Sequence, residues 1–443
     1  MSGGEPKRTV GVVTAAGLVV ASMVGGGVFI TTGGLLERVP SGPGVVLAWL
    51  VGGLAALAGA LCYAELGVSL ASNGGEYHYL SRLYHPALGF VSAWVSLVVG
   101  FAAPAAAIAT VFGFYVREFA PALEPKGIAA VALVTLSILS VWRVSASARF
   151  QNAMTYGKVL LVLGLALLAL RHGDASRLFV ASEPLGPIVT SGRFAAGLLL
   201  VSFAYTGWNA SSYIAGEVDR PETVLPRALV GGTVAVTALY VLLNVGLVVA
   251  APMETLRGQF EVARIAFIHL LGPRGGALVA AVVALGFVST IGAMIVTGPR
   301  VYEAVGRDYP RLSWLASRRD GGGPLAATAL QCAISLGMLA ADPTKLIEYI
   351  EFTLSITAAL AVGGVFLLRR RGLTGPFKTP GYPVTPLVFI GIMIWTAVSL
   401  VMQRPLSVVL GLATVFAGLV VWRVVSGRGA TVVPAAEGAS TGH

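Results

Sequence analysis

The sequence predicts an all-α polytopic membrane protein with twelve transmembrane helices, and three observations lead there. Of its 443 residues, 56% are hydrophobic and only 11% charged, with a mean hydropathy of +0.83. Soluble domains carry roughly 25% charged residues, so the polar surface this chain lacks must be replaced by a lipid-facing one. Apolar runs long enough to cross about 30 Å of hydrocarbon recur along the chain. Two of these runs contain helix-breaking sequences at mid-length.

In chain order the spans are placed near 10–36, 43–70, 86–116, 127–143, 152–170, 194–216, 229–251, 275–302, 325–341, 346–368, 385–403 and 406–425. The ninth is the weakest, being short and ending at Asp342-Pro343, where a helix stops anyway. The first apolar run is too long for the core of a signal peptide and lacks a small-residue cleavage site, so it is expected to remain as a span behind a short cytoplasmic N-terminus, 1–9. The tail, 426–443, is rich in Gly, Ala, Ser and Thr without periodicity, which fits a disordered cytoplasmic end. With an even number of spans both termini share a side. Placing them inside puts 18 Lys and Arg on that side against 11 on the other, with Lys158 left within the membrane. That bias predicts cytoplasmic termini in the cytoplasmic (plasma) membrane.

The first span carries Gly25-Gly26-Gly27-Val28-Phe29 and the sixth Phe203-Ala204-Tyr205-Thr206-Gly207-Trp208-Asn209. Each glycine costs a helix about 1 kcal/mol, and irregular backbone at membrane depth survives only where protein buries it or a cavity meets it. Unwinding at the first site would offer free N–H groups and the positive end of a half-helix to a carboxylate. Unwinding at the second would free carbonyls for an ammonium group, with Phe203 as candidate gate. The plainer alternatives are a small-residue packing seam at the glycines and ordinary aromatic packing at Phe203. Breaks at corresponding positions five spans apart point to two inverted repeats, 10–170 and 194–368, with a solute site near the midplane and peripheral helices in 385–425.

Lys158 lies seven residues into Gln151-Asn152-Ala153-Met154-Thr155-Tyr156-Gly157-Lys158, ahead of an apolar run. An intramembrane cation faces a cavity or a partner, unless it snorkels to the interface. Buried against the first break it could replace a sodium ion and couple the cycle to protons. Ser289 and Thr290 of the eighth span could add hydroxyls to the same pocket, although most membrane Ser and Thr bond their own helix. Glu65 is expected to form a packing or gating pair rather than a substrate contact.

His78, His85, His172, His269 and His443 have no metal-site spacing, and Cys62 and Cys332 sit in apolar runs, which argues against a disulfide framework. No nucleophile elbow, phosphate loop or strand-to-helix nucleotide motif occurs. The net charge of +10 is scattered between apolar runs rather than gathered for nucleic acid. No enzyme activity, cofactor, metal or nucleic-acid partner is expected; the expected partners are a small solute, protons and membrane lipid, and the oligomeric state is left open.

Taken with Cys62-Tyr63-Ala64-Glu65-Leu66, Asn73-Gly74-Gly75-Glu76-Tyr77, Gly216-Glu217, Leu225-Pro226-Arg227, Arg307-Asp308-Tyr309-Pro310 and Pro376-Phe377-Lys378-Thr379-Pro380-Gly381-Tyr382-Pro383, these segments resemble the amino acid–polyamine–organocation superfamily. Within it the chain is similar to prokaryotic L-amino-acid transporters, from about Thr9 to Arg423. The resemblance implies a LeuT-like core of five plus five inverted-repeat helices with helices one and six broken, and amino acid transport by alternating access. It implies that the N–H groups around Gly26, Gly27 and Val28, with Gly25 beside them in the site, meet the substrate carboxylate, and that carbonyls of Met23, Phe203 and Thr206 meet its amino group. Ala204, Tyr205 and Asn209 complete the expected site, Phe203 is its gate, and Lys158 stands in place of sodium.

Gly26 supplies no hydroxyl, the third span has no acid, and Asn209 is neutral. A cationic side chain would call for a fixed carboxylate, so neutral L-amino acids are the expected substrates, moved with protons or by exchange. The rival expectations are a basic amino acid or polyamine exchanger of the same fold and a non-transporting sensor.

Overall fold

The computed structural model describes residues 8–142, 148–317 and 324–426. Residues 1–7 and 427–443, with their N-terminal and disordered-tail expectations, lie outside the described residues, as do Arg143, Arg318 and Arg319 of the charge tally. The described chain is helical, and its β-type pairing consists of isolated bridges such as Val10 with Val218.

The first predicted span divides into α1 (Val12–Met23), α2 (Gly27–Ile30) and α3 (Thr32–Arg38). α4 (Gly42–Ser69) starts where Ser41 Oγ accepts from the Gly44 N–H at 3.2 Å, as an N-cap should. α5 (Glu76–Leu83) is a short helix that the hydropathy pattern did not single out. α6 (Pro86–Val95) and α7 (Ala103–Val116) are joined through a π-helical stretch, Ser96–Ala102. α8 (Pro125–Trp142), α9 (Ala148–His172) and the short α10 (Leu185–Val189) follow. α11 (Gly192–Tyr205), capped by Ser191, ends abruptly and gives way to a 3-10 turn, Ala210–Glu217.

α12 (Pro221–Ala250) and the four-residue α13 (Met253–Leu256) lead into α14, which spans Val262–Asp308. α14 is longer than the expected 275–302, because a turn at Gly272 (φ 77°) joins an extra helix ahead of the span and the far end runs on to Asp308. α15 (Leu325–Met338) precedes α16 (Pro343–Arg370), whose first turn is capped by Asp342 accepting from the Thr344 and Lys345 N–H groups. α17 (Val384–Gln403) and α18 (Pro405–Ser426) close the chain.

Nine helices among the described residues are long and apolar enough to cross a membrane, and Pro125–Val141 and Leu325–Met338 are shorter apolar helices. The large side chains Leu54, Val131, Leu160, Leu285, Met402 and Phe416 are exposed on the outside of the bundle. A water-soluble protein would not leave so many apolar groups bare, whereas lipid solvates them without cost. The protein is a multi-pass membrane protein.

Polar contacts between distant loops fall into two groups at opposite ends of the helices. One joins Arg38 and Arg404 to Glu348, Arg264 to Glu118, and Gln403 to the Gly192 carbonyl. The other joins Glu65 to Arg369, Asn73 to Glu217, Tyr77 to Asp308, and Arg371 to the Arg82 carbonyl. In each group the residues outside the span bounds fall on one side by the span count, and those inside lie near the matching ends of their spans.

Candidate functional site

α1 ends at Met23, and Val24 (φ −72°, ψ 82°) turns the chain out of the helix. The N–H groups of Gly26, Gly27 and Val28 then find no backbone acceptor among the described residues. In α11 the corresponding event follows Tyr205. Thr206 is extended (φ −51°, ψ 134°) and Gly207 lies at φ 107°, a conformation that a Cβ opposes. The carbonyls of Ala204, Tyr205 and Thr206 are left without a backbone donor among the described residues. One break presents donors and the other acceptors, which is the polarity a zwitterion needs.

The two breaks touch. A Cβ built on Gly27 would stand 2.7 Å from Ala204 Cα, and one on Gly207 would stand 2.8 Å from the Ser22 carbonyl carbon. Such approach is open only to glycine, so sequence positions about 180 residues apart are held backbone to backbone. Phe287 of α14 closes over Gly26, where a Cβ would meet its ring at 2.9 Å, and it packs edge-on against Phe29.

The expected site residues are not all brought to one place. Gly25, Gly26, Gly27, Val28, Phe203, Ala204 and Thr206 line the junction of the two breaks or flank it. Thr290 joins them, its methyl group 3.2 Å from where a Gly25 Cβ would be, although its hydroxyl bonds the Gly286 carbonyl of its own helix. Ser289 is half-buried and makes no hydrogen bond among the described residues. Lys158 lines a small cavity with Val24, Gly25, Phe29 and Phe287, beside the first break, and makes no ion pair among the described residues.

Three expected residues face other partners. The Met23 carbonyl accepts from the Tyr240 hydroxyl at 2.6 Å and from the Gly25 N–H at 2.7 Å, so both its lone pairs are in use. Tyr205 turns into the bundle, donating to the Trp49 carbonyl at 2.9 Å and packing on Trp49 and Tyr240. Asn209 donates to Glu76 Oε1 at 3.1 Å. Glu76, on α5, also accepts from the Tyr63 hydroxyl at 2.7 Å. Burial pushes its carboxyl above the usual carboxylate range, and the hydroxyl and amide donors around it work against that rise.

Glu65 has its pair: Arg369 grips it with two bonds of 2.8 and 2.9 Å, and the Thr379 N–H adds a third. The sequence reading missed Glu351, a buried carboxyl on α16 that accepts from the Thr206 hydroxyl at 2.9 Å, directly at the second break. Its signal was present as an acidic residue, the sixth of the tenth apolar run, but nothing local shows that α16 packs on α11 there. Tyr240 was equally hidden. Replacing it by phenylalanine removes one neutral hydrogen bond at the first break and should cost about 0.5–1.5 kcal/mol, read as a lowered thermal midpoint of the detergent-solubilised protein; an unchanged midpoint would show that the hydroxyl does not hold the break.

The amino acid permease family model matches residues 10–422. The chain is 28% identical to the serine/threonine exchanger SteT of Bacillus subtilis, over 92% of this chain and 95% of that protein. It is 28% identical to the human large neutral amino acids transporter small subunit 2, over 94% and 80%. With the human b(0,+)-type amino acid transporter 1 it shares 27% identity, over 90% and 85%. These proteins carry solutes across membranes and are not enzymes, and the match to the family runs through both broken helices. The chain belongs to the amino acid permease family and is an amino acid transporter.

Proposed function

We propose that this transporter moves neutral L-amino acids across the cytoplasmic membrane by alternating access, coupled to protons or by exchange. The observation that carries the reading is the contact of the two breaks, with three N–H groups on one and three carbonyls on the other that find no backbone partner among the described residues. A zwitterion held between them replaces water at both ends with fixed dipoles. The names of the serine/threonine exchanger and the large neutral amino acids transporter support the neutral class.

In this reading the broken segment 192–217 counts as a crossing together with the eleven apolar helices, which gives twelve. Segments 10–170 and 194–368 form the two inverted repeats and 385–425 the peripheral pair. The excess of Lys and Arg places the Glu65–Arg369 face in the cytoplasm with both termini. Gly26, Gly27 and Val28 receive the carboxylate; the amino group meets the Thr206 carbonyl and the second lone pair of the Phe203 carbonyl, which already accepts from the Thr206 N–H at 3.2 Å, and Phe203 is the gate.

Uptake of labelled L-serine and L-leucine into proteoliposomes, with and without a pH gradient or internal amino acid, tests the proposal. Absence of flux for every amino acid under all conditions would remove it. Lys158, beside the first break, is the coupling residue. Lys158→Ala is expected to abolish the response of uptake to an inward proton gradient, a coupling of about 5–150-fold in typical linked systems. An intact response in that variant would take the role away from Lys158.

Glu351 at the second break favours one second reading, in which the substrate is a basic amino acid or a polyamine. Competition separates the two, since only the second has arginine, lysine or putrescine outcompeting leucine.

A further inference from the structure

We propose that Glu351 is the point at which a proton and the substrate ammonium group exchange places: its carboxyl is neutral in the empty site and gives its proton to water when the ammonium arrives at the end of α11. The inference rests on the proposed zwitterion site and adds a residue and a proton to it.

The argument begins with what surrounds the carboxyl. Glu351 is 8% exposed, and its hydrogen bond among the described residues comes from Thr206 Oγ1 at 2.9 Å. It sits where α11 stops, beside the carbonyls of Ala204, Tyr205 and Thr206 that lack a backbone donor among the described residues, at the negative end of that half-helix. A carboxylate there meets more negative potential and little solvent, so the group is cheaper to keep neutral than ionised. An arriving cation reverses the balance, because carboxylate and carbonyls then share one positive partner.

No neighbouring cation performs that service in the structure. α16 packs against α4, α5, α6, α7, α11, α17, α18 and the 96–102 stretch. The charged groups on these elements are Glu65, Glu76, Arg82, Arg193 and Arg423, with Lys345, Glu348, Arg369 and Arg370 on α16 itself. None makes an ion pair with Glu351 among the described residues. Glu65 is held by Arg369, Glu348 by Arg38 at 2.5 Å, Glu76 by Tyr63 and Asn209, and Arg193 by Glu183. The hydroxyls of Tyr63, Tyr205 and Tyr349 go to Glu76, the Trp49 carbonyl and Thr414. Cys62, Tyr77, His78, Tyr79 and Tyr115 make no hydrogen bond to the carboxyl. Glu348 near the start of α16 and Glu65 of α4 beside its far end are matched to arginines; Glu351 at the break is matched to a hydroxyl.

The step balances simply. The O–H bond of the Glu351 carboxyl breaks and the proton passes to a water molecule. The substrate, its covalent bonds unchanged, donates an ammonium N–H to the resulting carboxylate. Substrate binding then releases one proton, and affinity rises with pH while Glu351 is protonated in the empty site.

The test is calorimetric titration of the full-length protein in lipid nanodiscs with L-serine, L-leucine, L-arginine and putrescine. Each titration is run in two buffers of different ionisation enthalpy and over a range of pH. For the wild type, proton release and a fall in Kd of about tenfold per pH unit at the acidic end are expected. Glu351→Gln keeps an acceptor for Thr206 and should bind with a pH-independent Kd, releasing one proton fewer than the wild type. Wild-type binding of serine or leucine without proton release overturns the inference and leaves the neutral-substrate reading standing. Binding confined to arginine or putrescine overturns the neutral reading, and proton release in those same titrations still decides the exchange at Glu351. Proton release that persists in Lys158→Ala assigns the proton to Glu351 even where Glu351→Gln fails to fold, and release that disappears in Lys158→Ala overturns the inference.

Discussion

Gly27→Ala is expected to cut amino acid uptake by about 5–150-fold while the protein still folds and inserts. The added methyl would stand 2.7 Å from Ala204 Cα and 3.2 Å from its Cβ. Backbone cannot swing aside as a long side chain can, so the two broken helices must separate. Overpacking of this kind costs about 1–3 kcal/mol, and loaded onto the substrate-bound state that cost gives the stated fall in flux. Gly17→Ala is the matched control, because a Cβ there meets nothing within 4 Å and helix propensity improves. Labelled uptake into proteoliposomes, normalised to inserted protein, makes the comparison. Equal flux in the two variants would show that the junction of the breaks does not need its present closeness.

Arg369→Met is expected to give the largest loss of stability, about 3–5 kcal/mol, because it strands a buried carboxylate. The Glu65 side chain is fully buried and takes two bonds from the guanidinium, which lies in turn over the Tyr382 ring at 3.8 Å. The Thr379 N–H alone cannot compensate a full negative charge in that setting. Glu65→Gln placed on top of Arg369→Met should recover most of the loss, since the second change removes the stranded charge. Thermal unfolding of the two variants in detergent reads the difference. A single variant as stable as the wild type would mean that water reaches Glu65 and the pair is mere surface decoration.

Single residues show where sequence reading succeeded. The break after Met23 and the break after Tyr205 were legible because three consecutive glycines and a Thr-Gly pair inside apolar runs carry a local conformational cost. Lys158 was legible because a cation inside an apolar run has few places to go, and it does stand beside Gly25. Glu65 was legible as half of a pair, but its partner lies 304 positions away, beyond any periodic signal. Tyr205 and Asn209 belong to the same motif as Thr206, yet they turn to Trp49 and Glu76, since neighbours on a distorted turn point in different directions.

By itself the sequence determined that the chain lives in lipid, where most of its apolar helices run, that breaks fall near Gly25 and Gly207, and which family it belongs to. Hydropathy and backbone propensity are properties of contiguous residues, so they can be read in order. Only the tertiary structure decided that the two interruptions meet at Gly27 and Ala204, that Tyr240 fastens the Met23 carbonyl, and that Glu351 lies against Thr206. Those choices depend on how separate helices pack, and close packing is settled by shape across the whole bundle rather than by any stretch of neighbouring residues.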